Sequence, residues 1–565
     1  MRTGRGLLAL LLVPCWVGQA QTPQELAMEA VSAMRDGSYR EAELKFAGLI
    51  EQVPGVAELH SNLGLARLSL GDLRGAEESF RSALELSPDI SAPKFLLGRM
   101  LFRSSRYDEA ARLLESAADD HPEDASIARL LAATWIGLKR YDDAALQYRE
   151  LLEADPHDTE ALYGLGKLHL HRGQQEFDRL GEFEDSAFYL LANAEFQAER
   201  SERSRFAAVA EGFYRRAIEA EPGHSGLRSA FGMFLLRRGE WEAAREMFGQ
   251  ALERDPRAHE ALFGRGFAKL SEGDWEGAAA DIGTAARIQP EFFRPLPAPP
   301  VAELDVHVHH QLLNERDFGS AYLRWVLTEE PTLSPTGDSE LSQSGLERMR
   351  DLMAVGRYEE LTRVRDVKGH EAIYLRGAAY RQLGKSMLDR LIEESPDSAR
   401  AHQLLADSLY AENRFGEAAE QFVLALERQP GDPILLLSLA NARLREPNYR
   451  LATEAYRKVL AISPADAEAS YNLGLALAAQ NLHREAVTPF RRALELQPDL
   501  VLAHAALGKA LVALGDVEEA VGHLEAGAST DEDGTLHYRL FQAYRKLGLD
   551  EKAEAARHRS AQLRP

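Results

Sequence analysis

Cysteine is almost missing from this chain. The one thiol in 565 residues is Cys15, so no internal disulfide can staple the fold, and covalent haem attachment through paired cysteines is excluded. Positive charge is in deficit, with 66 Lys and Arg against 89 Asp and Glu and a net charge of −23. A surface this acidic repels phosphate backbones and anionic lipid, which argues against nucleic acid as a partner. The apolar run Gly6–Val13 is too short to span a bilayer, and no transmembrane segment is expected. No Gly-rich loop follows a strand, no Gly-x-Ser-x-Gly elbow occurs and no Asn-x-Ser/Thr sequon occurs. Nucleotide-binding and hydrolase fingerprints are therefore absent, and no cofactor is called for.

What is present at the N-terminus is an address. Arg2 and Arg5 precede the apolar run, and Val17-Gly18-Gln19-Ala20 precedes the polar Gln21-Thr22-Pro23. Charge, apolar stretch and small residues in that order predict a signal peptide over 1–20, cleaved after Ala20, and an exported chain that is periplasmic or secreted. The missing sequons favour a bacterial envelope. Cleavage removes Arg2, Arg5 and Cys15, leaving no thiol and a net charge of −25. Pro14 stands where a lipobox places a small residue, so Cys15 is not read as a lipid anchor.

The remainder is 45% hydrophobic and 27% charged over the whole chain, the composition of a folded protein. A single compact core does not serve so long a chain, which leaves several domains or an array. A spacing near 34 residues decides for the array. Gly64 is followed by Leu73, Ala76, Phe80, Ala83 and Pro88; Gly98 is followed by Tyr107, Ala110, Leu114, Ala117 and Pro122 at the same intervals. The series continues from Ala132 to Pro156, Gly232 to Pro256, Gly266 to Pro290 and Ala406 to Pro430, and then through Ala452, Gly474 and Gly508. Gly or Ala lets two helices approach closely, an aromatic such as Phe80 or Tyr148 plugs the groove towards the next unit, and Pro ends the second helix.

These residues and intervals resemble the tetratricopeptide-repeat family over most of 23–292 and 343–565. The resemblance implies an all-α, right-handed superhelical solenoid of helix hairpins, and a non-catalytic scaffold or adaptor that holds a peptide or protein partner of the cell envelope in a concave groove. The expected organisation is an N-terminal solenoid over 21–292, a Pro-rich joint over 293–342 that begins Phe293-Arg294-Pro295, and a C-terminal solenoid over 343–565 closed by a capping helix pair from Leu536 to Leu563. One amphipathic helix is predicted from Leu312 to Leu327.

Two stretches break the period and match each other. Gly166, Gly173, Phe177 and Asp178-Arg179-Leu180 recur as Gly377, Gly384, Leu388 and Asp389-Arg390-Leu391. Both lack the Tyr-x-x-Ala segment, which reads as a shortened hairpin at 159–184 and again at 370–396, copied by duplication of a multi-repeat block.

Chemistry is sparse. Asp305-Val306-His307-Val308-His309-His310 is the one cluster with metal-ligand character. It supports an alternative reading, a metal-dependent enzyme or regulatory subunit with its site near His307, but no further ligands or general base accompany it, and no metal residues are assigned. In the resembled family the first helix of each hairpin lines the concave wall. Carried over, that geometry places Phe95, Arg99 and Arg103 on one first helix, Arg129 on the next, and Tyr163 and Lys167 on a third. Cations with aromatics suit an acidic or carboxylate-bearing peptide. The carboxylate-clamp pattern of Lys and Asn used by chaperone-binding family members is not reproduced here. The competing reading is that these cations simply pair with neighbouring carboxylates.

Overall fold

The computed structural model describes residues 22–199, 204–288, 345–354 and 356–563. Among them are 28 α-helices and no strand. Most pair as hairpins of a 13-residue first helix and a 14-residue second helix, as in Ser91–Arg103 with Tyr107–Asp120 and Ala125–Gly137 with Tyr141–Ala154. The first described helix, Pro23–Arg35, is started by a capping box in which Thr22 and Glu25 each satisfy the other's backbone N–H. The capping pair is formed by Thr535–Lys546 and Asp550–Leu563.

One turn closes hairpin after hairpin. The residue two places before the second helix adopts the left-handed conformation, as at Gly71, Ser105, Lys139, Gly239, Asn413 and Asn481. The amide that follows it reaches back into the first helix, from Asp72 to the Arg67 carbonyl and from Arg140 to the Trp135 carbonyl, which satisfies carbonyls that a helix end leaves open.

The glycines sit where packing requires them. A Cβ on Gly64 or Gly232 would lie 2.7 Å from the ring of Phe80 or Phe248, sixteen residues further along in the same hairpin. Phe248 also presses on Gly264 of the next hairpin. The aromatic thus fills its own hairpin and the seam to its neighbour, and Phe80, Phe248, Phe422 and Phe490 are fully buried.

The two period breaks fold differently from the shortened hairpins expected. Each is one unbroken helix, Thr159–Leu180 and His370–Glu394. The spacing from Gly to plug is eleven residues rather than sixteen, from Gly166 to Phe177 and from Gly377 to Leu388. The five missing residues exceed the three-residue turn of a regular hairpin, such as 104–106, so neither helix folds back on itself. Each glycine meets the other copy's plug: a Cβ on Gly166 would lie 2.7 Å from Leu388, and one on Gly377 would lie 2.9 Å from Phe177. Gly384 faces the Gly166 carbonyl and Leu170, while Gly173 faces the Gly377 carbonyl and the Arg381 backbone. The contacts are reciprocal, as in an antiparallel pair related by a local two-fold.

The chain divides into two compact units, Met1–Tyr163 with Arg390–Pro565, and Gly164–Asp389. Their boundaries fall inside the two long helices. The joint expected at 293–342, with its Leu312–Leu327 helix, lies outside the described residues. On its two sides the described helices share a core: Leu180, Tyr214, Phe248 and Ile282 belong with Met349, Leu352, Leu361 and Tyr374.

Candidate functional site

Helix Ser91–Arg103 carries Phe95, Arg99 and Arg103 one turn apart, so the three share a face. The Arg99 guanidinium lies 5.6 Å from the centre of the Phe95 ring, in cation–π range. Burial, and then the charge of Arg103, lower the pKa of Arg99. Arg103 is exposed. Neither arginine has a carboxylate partner among the described residues. Lys94 on the same helix is buried and paired with Asp120 at 2.7 Å. Nearby, Arg81 and Arg106 are tied to Glu77 and Glu109 at 2.7–2.8 Å, and these two arginines hold the Glu109 carboxyl down at about 2. In an acidic protein whose cations are widely paired, Arg99 and Arg103 stand side by side uncompensated.

Arg129 is placed otherwise. Its guanidinium holds Asp158 at 2.6 and 3.1 Å, and Asp158 is buried, with its other oxygen accepting from the Glu160 and Ala161 amides. That arginine fastens one hairpin to the start of the next helix, the pairing role that sequence alone left open for these cations. Tyr163 lies under the Arg400 guanidinium at 5.1 Å; burial, with Asp407 nearby, pushes its hydroxyl up to about 12. Arg400 also binds Glu160 at 2.9 Å and Gln403 at 2.6 Å. Lys167 is exposed on helix Thr159–Leu180, within Gly164–Asp389, whereas the other five expected residues belong to the unit that contains Met1–Tyr163. Phe95, Arg99 and Arg103 are therefore the expected residues that share one helix face. Phe102, half-buried beside Arg103 and 5.7 Å from Tyr107, adds an apolar edge that the sequence reading did not single out, although the period places it about one turn after Arg99.

Cluster 305–310, with His307, His309 and His310, lies outside the described residues. Among the described residues no group of three or more His, Cys, Asp or Glu side chains could hold a metal ion, and no described helix is long and apolar enough to cross a membrane.

Two family models, both described as tetratricopeptide repeat, match this chain, one over 67–134 and the other over 27–89, 136–176, 230–291, 384–433 and 437–501. The chain belongs to the tetratricopeptide-repeat family. Such repeats form protein-interaction scaffolds. The second model stops at 176 and resumes at 384 on either side of 230–291, inside the two long helices where the regular hairpin ends. Similar solved structures include a MamA protein at 20% identity, covering 29% of this chain and 91% of that one, with a TM-score of 0.28. A tetratricopeptide repeat protein from Parabacteroides merdae is 17% identical over 52% of this chain and 97% of its own, with a TM-score of 0.26. MamA from Desulfovibrio magneticus, from residue 41 to its end, is 21% identical over 27% and 87%, with a TM-score of 0.26. No curated protein matches the chain.

Proposed function

We propose that this chain is an exported, non-catalytic scaffold of the cell envelope that holds an acidic or carboxylate-bearing peptide against helix Ser91–Arg103. The observation that carries the reading is the uncompensated pair Arg99 and Arg103 beside the Phe95 ring. A partly desolvated guanidinium with a like charge next to it gains on meeting a carboxylate, which supplies the missing hydrogen-bond acceptors and relieves the repulsion. The ring supplies apolar area to the flanking side chain. Export rests on the ordered signal features of 1–20, and an intact mass beginning at Gln21 in the periplasmic or secreted fraction is the expected result; a mature chain that keeps Met1 would sink that part.

The binding test uses labelled acidic peptides ending in an aromatic residue, with the variant Arg99→Glu/Arg103→Glu. Two charge-assisted hydrogen bonds at about 1.5 kcal/mol each predict a loss of about a hundredfold in affinity. Helicity and melting temperature should stay unchanged, since neither arginine holds a structural carboxylate. Retention of peptide binding by the double variant would remove this face as the site.

A further inference from the structure

Helices Thr159–Leu180 and His370–Glu394 are repeats that have lost their turn, and each therefore contains a first half that needs a second half from elsewhere. Within the chain each receives it from the other: Gly166 takes Leu388, and Gly377 takes Phe177. Polar contacts lock the register. Arg376 approaches Glu176 at 3.5 Å, and Glu195, on the following helix Ala187–Glu199, accepts from Arg381 at 2.6 Å and from Tyr374 at 2.7 Å. The Arg172 guanidinium lies 4.4 Å from the centre of the Tyr380 ring, and that of Arg381 lies 5.2 Å from that of Phe177. None of these contacts depends on His370–Glu394 belonging to the same molecule as Thr159–Leu180 and Ala187–Glu199.

We propose that this helix pair is an exchangeable interface whose partner is a second copy of this chain, so that two chains can trade halves and form a reciprocally swapped homodimer. The contacts made in the closed monomer and in the swapped dimer are the same, and the difference between the states is the entropy of linkage. Linkage of the two halves within one chain favours the monomer at low concentration. The dimer forms when chains fold together at concentrations that compete with the effective concentration of the tethered halves. Once formed it persists on dilution, because releasing the halves requires opening the Gly164–Asp389 core.

Charge reversal across the exchanged contact tests this in the full chain. In Arg381→Glu the new carboxylate faces Glu195, and in Glu195→Arg the new guanidinium faces Arg381, so each variant alone should melt below the parent. Refolded together, the two variants can satisfy both contacts only by exchange. The carboxylate introduced at position 381 of one copy then meets the guanidinium introduced at position 195 of the other, while the native Arg381 and Glu195 also meet. The expected result is a mixed dimer, of twice the monomer mass by light scattering, that melts close to the parent. Parent protein refolded at high concentration should give a dimer that survives dilution. A co-refolded mixture that stays as two monomers with depressed melting temperatures would overturn the proposal, as would a parent protein that is monomeric after refolding at every concentration. Because the test does not involve Arg99 or Arg103, its outcome is independent of the peptide reading.

Discussion

Single side chains in this protein are governed by whether a cation has a carboxylate and whether a glycine has a neighbour. Arg129 and Arg99 occupy successive first helices yet behave oppositely. Arg129→Ala strands the buried Asp158 carboxylate and should cost about 1–3 kcal/mol in a chemical melt, whereas Arg99→Ala should leave stability unchanged and weaken peptide binding. Lys139 sits at φ 60° in a turn where Gly71 and Gly239 serve elsewhere. Lys139→Gly removes a left-handed strain of about 1 kcal/mol and should raise the urea midpoint, offset in part by the entropy of a freer chain. Gly232→Val drives a side chain into Phe248 and should lower stability by about 1–3 kcal/mol. The glycine and aromatic positions were legible in the sequence because their intervals repeat. The fate of Arg129 was not, since its partner lies 29 residues away and any nearby acid would have served as well on paper.

Elements bring the titrating groups together. Glu371, at the start of helix His370–Glu394, accepts a hydrogen bond from Arg350 at 2.7 Å and lies 3.5 Å from His224. Burial pushes its carboxyl up, but His224 and Arg350 together outweigh that and hold it at about 2. An unfolded glutamate titrates at about 4.3, so the folded value is the lower one. The contribution of Glu371 is complete above about pH 4 and is lost as pH falls towards about 2. Acid melts of the parent should show this loss, and Arg350→Gln should flatten it; a parallel acid profile in that variant would show that Glu371 is held by something else. The long helices were half legible. A Gly-to-plug spacing of eleven instead of sixteen reveals that a turn is missing. It does not reveal that the helix continues unbroken, because nothing in the local sequence says where the complementary half will come from.

At the level of the molecule, the joint expected at 293–342 lies outside the described residues, and the compact units meet inside the two long helices. A cut at that joint leaves Leu180, Phe248 and Ile282 on one fragment, and Met349, Leu361 and Tyr374 of the same core on the other. Fragments 21–292 and 343–565 should each expose this apolar surface, and should be recovered in soluble form mainly when co-expressed and as a complex. Independent solubility and full helicity of both would show that the shared core is dispensable. Sequence pattern reached the family and the class of fold because an array repeats its instructions. It could not reach the unit boundaries, which depend on contacts between residues roughly 200 positions apart.

That separation has a cost in time. Helix Thr159–Leu180 leaves the ribosome long before His370–Glu394 is made, and with about 200 intervening residues at about 5–20 residues per second the wait is about 10–40 s. For that interval Gly166 has no Leu388 to meet, and the nascent first half presents an open groove while chain continues to grow. Neighbouring chains that emerge within the same interval present the same groove. The order of emergence thus sets a race between waiting for one's own second half and accepting a neighbour's, and for an exported chain that race is run on the far side of the membrane it crosses.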